Sequence, residues 1–552
     1  MPVVTFDRDD LDTLLGQKVD LETLLDRVPQ LGADVHSYDE ETNALSIEFF
    51  PDRPDLYCVE GAATALRSFL GFEKGLKKYP VTDSGVTLKV EDSVKNVRPY
   101  IVAGVVCGVS LNDSAIKSLM ELQEKLHITM GRKRAKVAIG IHDLDKITAP
   151  FTYKAVNPDS ISFIPLAKTE CMTMREILVK HEKGKAYAQL MEGKQLFPVI
   201  LDAKNNVISF PPIINGALTT VTENTKNIFI DVTGTDLNAI NGALNIVATA
   251  LAERGGTIQS VSVESSSKLT TPDLTPRIKD IRVNDVNSLL GCNLNADQIC
   301  QTLDKMGYDS QILSDDAVRV NISATRLDIL HEVDVIEDVA KGYGYENFGN
   351  RLPSSQTFGS ELNETKASNI VRQLLVGYGY LETTTLTLTS EEAQFEKMRL
   401  PESEVVSVLN PISEDHTCLR VSLIPSQMAL LRKNKHRDLP QKLFEVGDVV
   451  IDAVRHKRLA VVNISVKSSF TEIKSLAESI LRDLSVTYEV QSSSSEMFIP
   501  GRGAEIVSNG KTIGIFGEIH PEVITNFELR YPVIALELDV EAITEGKLDR
   551  VA

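Results

Sequence analysis

Asp328, Asp334, Glu337 and Asp338 stand close together in the stretch RLDILHEVDVIEDVAKGYGYEN, Arg326 to Asn347. Asp334, Glu337 and Asp338 occupy positions i, i+3 and i+4, so on a helix their carboxylates share one face. Asp328 lies just upstream, where Ser323-Ala324-Thr325-Arg326 reads as a turn entering that helix. Hard oxygen donors with no His or Cys among them suit Mg²⁺ rather than zinc. The same spacing equally suits a plain helix whose early acidic residues complement its dipole.

The elements that position these residues occur twice. Residues 10–71 read DLDTLLGQKVDLETLLDRVPQLGADV, a strand LSIEFF, then PDRPDLYCVEGAATALRSFLG. Residues 285–344 read DVNSLLGCNLNADQICQTLDKMGYDS, a strand VRVNIS, then ATRLDILHEVDVIEDVAKGYG. Each copy predicts a helix, a Leu-Leu-Gly stop, a second helix, a hairpin, an Arg-x-Asp turn and a last helix: one small α+β unit used twice. Arg53 and Asp55 answer to Arg326 and Asp328, but Ala62, Ala63 and Thr64 stand roughly where the second copy has Ile336, Glu337 and Asp338. The unit folds without that acidic pair, so the pair is expected to serve a purpose of its own.

These strings carry a resemblance. The second copy resembles the B5-type domain through which phenylalanyl-tRNA synthetase β subunits contribute Mg²⁺ ligands. The segment PDRPDLYCVEGAATALRSFLG is similar to the N-terminal domain of the same family, and FPPIINGALTTVTENTKNIFIDVTGTD (210–236) to its B3/B4-type editing domain. LRKNKHRDLPQKLFEVGDVV (431–450) and GIFGEIHPEVITNFEL (514–529) resemble its synthetase-like core. The matches follow the family's order over nearly the whole chain. They imply an α+β multidomain protein: repeated winged, DNA-binding-like units, an editing domain, and a class II synthetase-like antiparallel sheet.

Length and composition set independent bounds. A chain of 552 residues allows several domains, and 42% hydrophobic residues support large cores. No apolar run approaches membrane-spanning length. The start, MPVVTFDRDDLD, is acidic and has no signal-peptide core, and the six cysteines (58, 107, 171, 292, 300, 418) are scattered without a C-x-x-C. Both features point to a reducing cytoplasm. A formal charge of −19 argues against a generic nucleic-acid coat and leaves RNA contact to local patches. Two are present: Arg132, Lys133 and Arg134 with Lys136, the candidate RNA-binding patch, and Arg432-Lys433 with Lys435 and Arg437. Either also reads as a solvated face.

Composition shifts divide the chain into 1–90 (first repeat copy), 91–263 (middle domain), 270–348 (second copy) and 360–552 (synthetase-like module). Linker-like ESSSKLTTPDLTPR (264–277) and NRLPSSQTFGSELN (350–363) fall between them. The middle domain mixes β-branched runs with helical segments at 114–126 and 236–254. The last module predicts a helix at KASNIVRQLLVGYGY, a Thr-rich strand LETTTLTLTS, strands LFEVGDVV and RLAVVNISV, a helix at 471–484 and a hairpin at Asn509-Gly510. A class II site needs arginines to clamp ATP phosphates. The nearest candidates are Arg420 and Arg502, in unlike contexts, so the module reads as a scaffold that pairs with a separate adenylating α subunit.

The resemblance assigns the middle domain hydrolysis of misacylated Tyr-tRNA(Phe). A site selective for tyrosine must offer polar groups that phenylalanine would leave unpaired. His127, Ser209, Asn215, Asp231 and Thr233 are the candidate residues. Asp231 and Thr233 sit two apart on one strand face, Pro211-Pro212 holds an extended chain, and His127 ends a helix where it can orient a water or the tRNA 3′ end. His142-Asp143 reads as a turn. With no Ser-His-Asp order evident, hydrolysis by a positioned water is expected. The resemblance further implies an α₂β₂ assembly using ATP and Mg²⁺ to charge tRNA(Phe), in the archaeal or eukaryotic-cytosolic form that lacks the extra oligonucleotide-binding and anticodon-reading domains. The rival readings are a free-standing misacylated-tRNA hydrolase and a non-catalytic RNA-binding scaffold.

Overall fold

The computed structural model describes residues 2–265, 268–350, 352, 354 and 357–544. It forms two compact units, 1–352 and 353–552.

Both repeat copies lie in the first unit. The first runs Val3–Asp7 (strand), Arg8–Leu15 and Leu21–Gln30 (helices), the hairpin Ala33–Asp39 and Ala44–Phe49, and the helix Val59–Phe69. The second runs Arg277–Arg282, Val283–Leu290, Ala296–Lys305, Asp309–Ser314, Ala317–Ile322 and Glu332–Tyr343 in the same order. In each, the opening strand pairs with the second hairpin strand, which becomes the centre of a three-stranded antiparallel sheet. The predicted glycine stops are left-handed C-caps, Gly16 at φ 79° and Gly291 at φ 68°. Arg53 forks onto Asp55 at 2.9 and 2.8 Å, as Arg326 forks onto Asp328 at 2.9 and 2.6 Å. The repeated Arg-x-Asp is thus a repeated ion-paired turn that admits the last helix.

Between the copies in sequence lies a ten-stranded mixed sheet. Its centre pairs Val81–Val90 with Thr257–Glu264 in parallel, so this strand joins the large sheet although it falls within the span 1–90 assigned to the first copy. Toward one edge the order is Thr257–Glu264, Tyr100–Cys107, Asn227–Gly234 and, outermost, Val137–Asp143. Ile228, Ile230 and Val232 pack in one core with the helices Asp113–Ile128 and Leu237–Glu253. Phe229 packs in another, with Phe151 and Ala103, which puts Asp231 and Thr233 on its side of the pleat. The edge strand is buried throughout because the first helix and the 209–221 segment cover it.

The second unit is a seven-stranded sheet, antiparallel except where Leu381–Glu382 joins Gln441–Ile451. The order continues through Val454–Ile464, Val533–Asp539, Lys511–Ile519, Phe498–Ser508 and Glu489–Ser492. Helices Asn363–Gly377 and Phe470–Asp483 cover one face, with Val371, Leu375, Ile473 and Ile480 in its core. The Thr-rich stretch is not one strand: only Leu381–Glu382 and Leu388–Thr389 pair as strands. Between them the Thr383 hydroxyl bonds the Phe444 carbonyl and the Thr385 hydroxyl bonds Glu445, so side chains do there what a ladder would otherwise do.

Candidate functional site

A cavity of about 300 Å³ opens between the helix Asp113–Ile128, the edge strand Val137–Asp143 and the 209–221 segment. Met120, Ile139, Ile141 and Ile214 supply apolar walls, while Ser209, Asn215, Asp231, His127 and Arg134 supply polar groups. Five sequence-predicted residues therefore converge on one space. Thr233 does not line it: its hydroxyl accepts from Arg98 Nε at 2.9 Å and its carbonyl from Arg98 Nη2 at 2.7 Å. The alternation held, but the buried Arg98 claims the second residue as structure. Pro211-Pro212 does not extend the chain; it lies in a turn closed by the Ile213 N–H on the Phe210 carbonyl at 2.8 Å.

The basic patch divides. Arg132, Lys133 and Arg134 all adopt positive φ (49°, 53° and 69°), a left-handed turn that costs on the order of 1–3 kcal/mol per residue. It leaves Arg132 and Lys133 in solvent and turns Arg134 inward. Arg134 donates to the Ile213 carbonyl at 2.9 Å and to Glu124 at 3.1 Å, and stacks over the Tyr187 ring at 4.5 Å. Lys136 faces away and pairs with Asp236 at 3.0 Å.

His127 is 1% exposed. Its Nε2 accepts the Ile139 N–H at 2.8 Å, so in the neutral ring the proton sits on Nδ1, 3.5 Å from Glu124. Burial pushes the imidazolium down to about 4, with Glu124 working against that shift. At neutral pH His127 is therefore a donor that orients, not a base. His127, Arg134 and Lys183 together hold the Glu124 carboxyl well below its usual range.

Asp231, which also lines the cavity, is 1% exposed, and its Oδ2 lies 2.7 Å from His142 Nε2. His142 Nδ1 lies 2.7 Å from the Thr219 hydroxyl. His142 is a fully buried strand residue rather than part of a turn. Thr219 and Glu124 are not marked out by the sequence, and His142 is marked there only as part of a turn. The one available signal is Gly140, a glycine inside an apolar strand two residues before a histidine, which marks a close approach. A Cβ there would stand 2.0 Å from Asp231 Oδ2 and 2.6 Å from His142 Nε2.

The four carboxylates expected to share a metal do not converge. Asp338, 1% exposed, meets Arg326 at 2.6 Å and accepts the Tyr308 hydroxyl at 2.5 Å. Asp328 is forked by Arg326. Asp334 accepts the Leu330 and His331 N–H groups at 2.7 Å each, capping the helix. Glu337 pairs with Lys341 at 2.9 Å in solvent. Among the described residues no group of three His, Cys, Asp or Glu side chains is placed to hold a metal ion. Burial works against ionisation of Asp338, but the Arg326 and Lys341 charges outweigh it and hold its carboxyl below the ordinary range. These residues do not fit Mg²⁺ in this arrangement, because Asp328, Asp338 and Glu337 are ion-paired with Arg326 or Lys341 and Asp334 is spent on backbone N–H groups at the helix start.

Neither arginine considered for a phosphate clamp is free for one. Arg420, 2% exposed, pairs with Glu445 at 2.8 Å and donates to the Thr385 hydroxyl at 2.6 Å and the Asp448 carbonyl at 2.8 Å. Gln427 completes this buried network by donating to Glu445 at 2.7 Å. Arg502 is held by Glu518 at 2.6 Å.

Comparison with known proteins agrees with this anatomy. Family models match the B3/4 domain at residues 110–261, the tRNA synthetase B5 domain at 279–345 and the phenylalanyl tRNA synthetase beta chain CLM domain at 349–540. The chain is 46% identical over 543 residues to a phenylalanine–tRNA ligase beta subunit of Methanosarcina barkeri, covering 98% of this chain and 99% of that one. It is 47% identical over 546 residues to the one of Archaeoglobus fulgidus, covering 98% of each. A crystal structure of an N-terminal fragment of the phenylalanyl-tRNA synthetase beta subunit from Pyrococcus horikoshii superposes with a TM-score of 0.61 at 41% identity, covering 62% of this chain and all of that one. With identity of this order running end to end across both units, the chain belongs to the phenylalanine–tRNA ligase beta subunit family.

Proposed function

We propose that this chain works in a phenylalanine–tRNA ligase as the subunit that removes tyrosine from tRNA(Phe), while a separate α subunit forms the adenylate and transfers phenylalanine. The observation that carries the editing reading is the buried Asp231 carboxylate lining an otherwise largely apolar cavity. A tyrosyl side chain entering there donates its phenolic hydroxyl to the carboxylate. A phenylalanyl side chain would lie against that buried polar group and leave it unpaired, which is the asymmetry that gives hydroxyl-binding sites their large discrimination.

The ester is then cleaved by water. Ser209 spends its hydroxyl on Asn215 Oδ1 at 3.2 Å and has no base beside it, so it is no nucleophile. His127 offers Nδ1–H, and Asn215 offers polar atoms along the path, groups suited to orient water or the terminal ribose. The turn holding Arg132 and Lys133, just before the strand Val137–Asp143, supplies exposed cations for the tRNA backbone. Lys136, spent on Asp236, is a weaker candidate.

The non-adenylating reading rests on the self-satisfied Arg420–Glu445–Gln427 network. In an α₂β₂ assembly ATP, with Mg²⁺, belongs on α. The size of the second unit favours this over a free-standing hydrolase, which has no use for a synthetase-like sheet. Among the described residues no helix is long and apolar enough to cross a membrane, compatible with work in the cytoplasm. The test is ATP–pyrophosphate exchange with phenylalanine. The purified chain should show none, and adding α should restore it; robust exchange by this chain alone overturns the assignment.

A further inference from the structure

We propose that His142 is a positioning residue for tyrosine discrimination: bound to Thr219 on one side and Asp231 on the other, it fixes which carboxylate oxygen meets the substrate. This rests on the editing reading above and deepens it.

Register explains why the contact exists. On the paired strands Asn227–Gly234 and Val137–Asp143, Asp231 stands opposite Gly140 and Phe229 opposite His142. His142 is thus the diagonal neighbour of Asp231, a separation that an aromatic-sized side chain spans only if nothing intervenes. The intervening residue is Gly140, and any side chain there would overlap both partners. The empty position is what lets imidazole and carboxylate meet at 2.7 Å with neither in contact with bulk water.

The second ring nitrogen sets the direction of the chain of bonds. The Thr219 hydroxyl lies 2.7 Å from Nδ1 and 3.3 Å from the Gly216 carbonyl. With the hydroxyl proton on the shorter contact, Nδ1 accepts, Nε2 carries the ring proton, and that proton is donated to Asp231 Oδ2. Oδ2 is then committed and Oδ1 is left for the phenol. The buried carboxylate cannot swing between the two without losing its donor. Arg98 adds positive charge nearby but spends its N–H groups on Thr233 and Ala135, so it does not substitute for that donor.

The order hydroxyl–imidazole–carboxylate resembles a nucleophile triad, but the placement argues otherwise. Thr219 is 1% exposed, and the Gly216 N–H that might stabilise an oxyanion is spent on the Ile208 carbonyl at 2.8 Å. The bonds converge on holding Asp231.

The experiment compares deacylation of Tyr-tRNA(Phe) and Phe-tRNA(Phe) by the assembled ligase carrying His142→Leu, His142→Gln or Thr219→Val, with melting temperature recorded for each. His142→Leu should lower the Tyr/Phe hydrolysis ratio about a hundredfold, the cost of a displaced positioning contact. His142→Gln, whose amide can donate to the same oxygen, should retain most of the ratio. Thr219→Val should lower it severalfold with melting unchanged, and decides the matter if His142→Leu does not fold. An unaltered ratio in His142→Leu or in a folded Thr219→Val, or equal loss in the Gln and Leu variants, overturns the positioning role. A wild-type ligase that does not hydrolyse Tyr-tRNA(Phe) at all overturns the editing reading itself, and this inference with it.

Discussion

At the scale of single residues, the pocket is governed by which polar atoms are already spent. His127 has Nε2 occupied and its imidazolium pushed down to about 4 by burial. An unfolded histidine titrates near 6.5, so between these values the unfolded chain binds a proton that the folded chain refuses. Stability is therefore full above about 6.5 and falls as the pH drops toward 4, by roughly 3 kcal/mol from this residue. His127→Gln keeps an acceptor for Ile139 and should flatten that part of the curve, as urea titrations of both proteins from pH 7 to pH 4 will show; parallel curves would contradict the buried neutral ring. The residues themselves were only partly legible. Asp231, Ser209, Asn215 and His127 could be picked as polar groups in apolar strings. His142 was missed because Val137–Asp143 is buried on every side and shows no alternation, leaving its neighbour Gly140 as the sole hint.

At the scale of elements, the repeated α+β unit was the most legible feature, since its stops and turns are chemical: left-handed glycines at 16 and 291 and ion-paired turns at 53–55 and 326–328. The acidic helix Glu332–Tyr343 shows what spacing alone cannot tell. Spacing places the carboxylates on a helix, with Lys341 one turn on, but says nothing of Arg326, which reaches Asp338 from the turn before the helix. The two acids should accordingly behave differently. Asp338→Ala takes one of two carboxylates from the buried Arg326, leaves the Tyr308 hydroxyl without its acceptor and should cost about 3 kcal/mol. Glu337→Ala removes an exposed carboxylate whose partner Lys341 keeps Asp338, and should cost less than about 1 kcal/mol. Equilibrium unfolding in the absence of divalent cations reads both. Equal small effects there, growing only when Mg²⁺ is added, would restore the metal reading. The Thr-rich segment fails as a strand for a related reason: β-propensity was legible, whereas the buried Arg420–Glu445 pair that recruits Thr385 was not.

At the scale of the whole molecule, the order of modules was legible because each is a long, patterned stretch, and the family match runs over both units. The chain divides its labour. One unit contains a cavity lined by Asp231, Asn215 and His127, while in the other Arg420 and Arg502 are paired with carboxylates of the same unit. If the first unit corrects errors, deacylation of Tyr-tRNA(Phe) by the assembled ligase depends on it. Wild-type enzyme should hydrolyse it rapidly, and Asp231→Ala should slow that reaction by at least about a hundredfold while phenylalanine charging stays near wild type. Tyr-tRNA(Phe) hydrolysis that survives intact in the Asp231→Ala ligase would contradict the account.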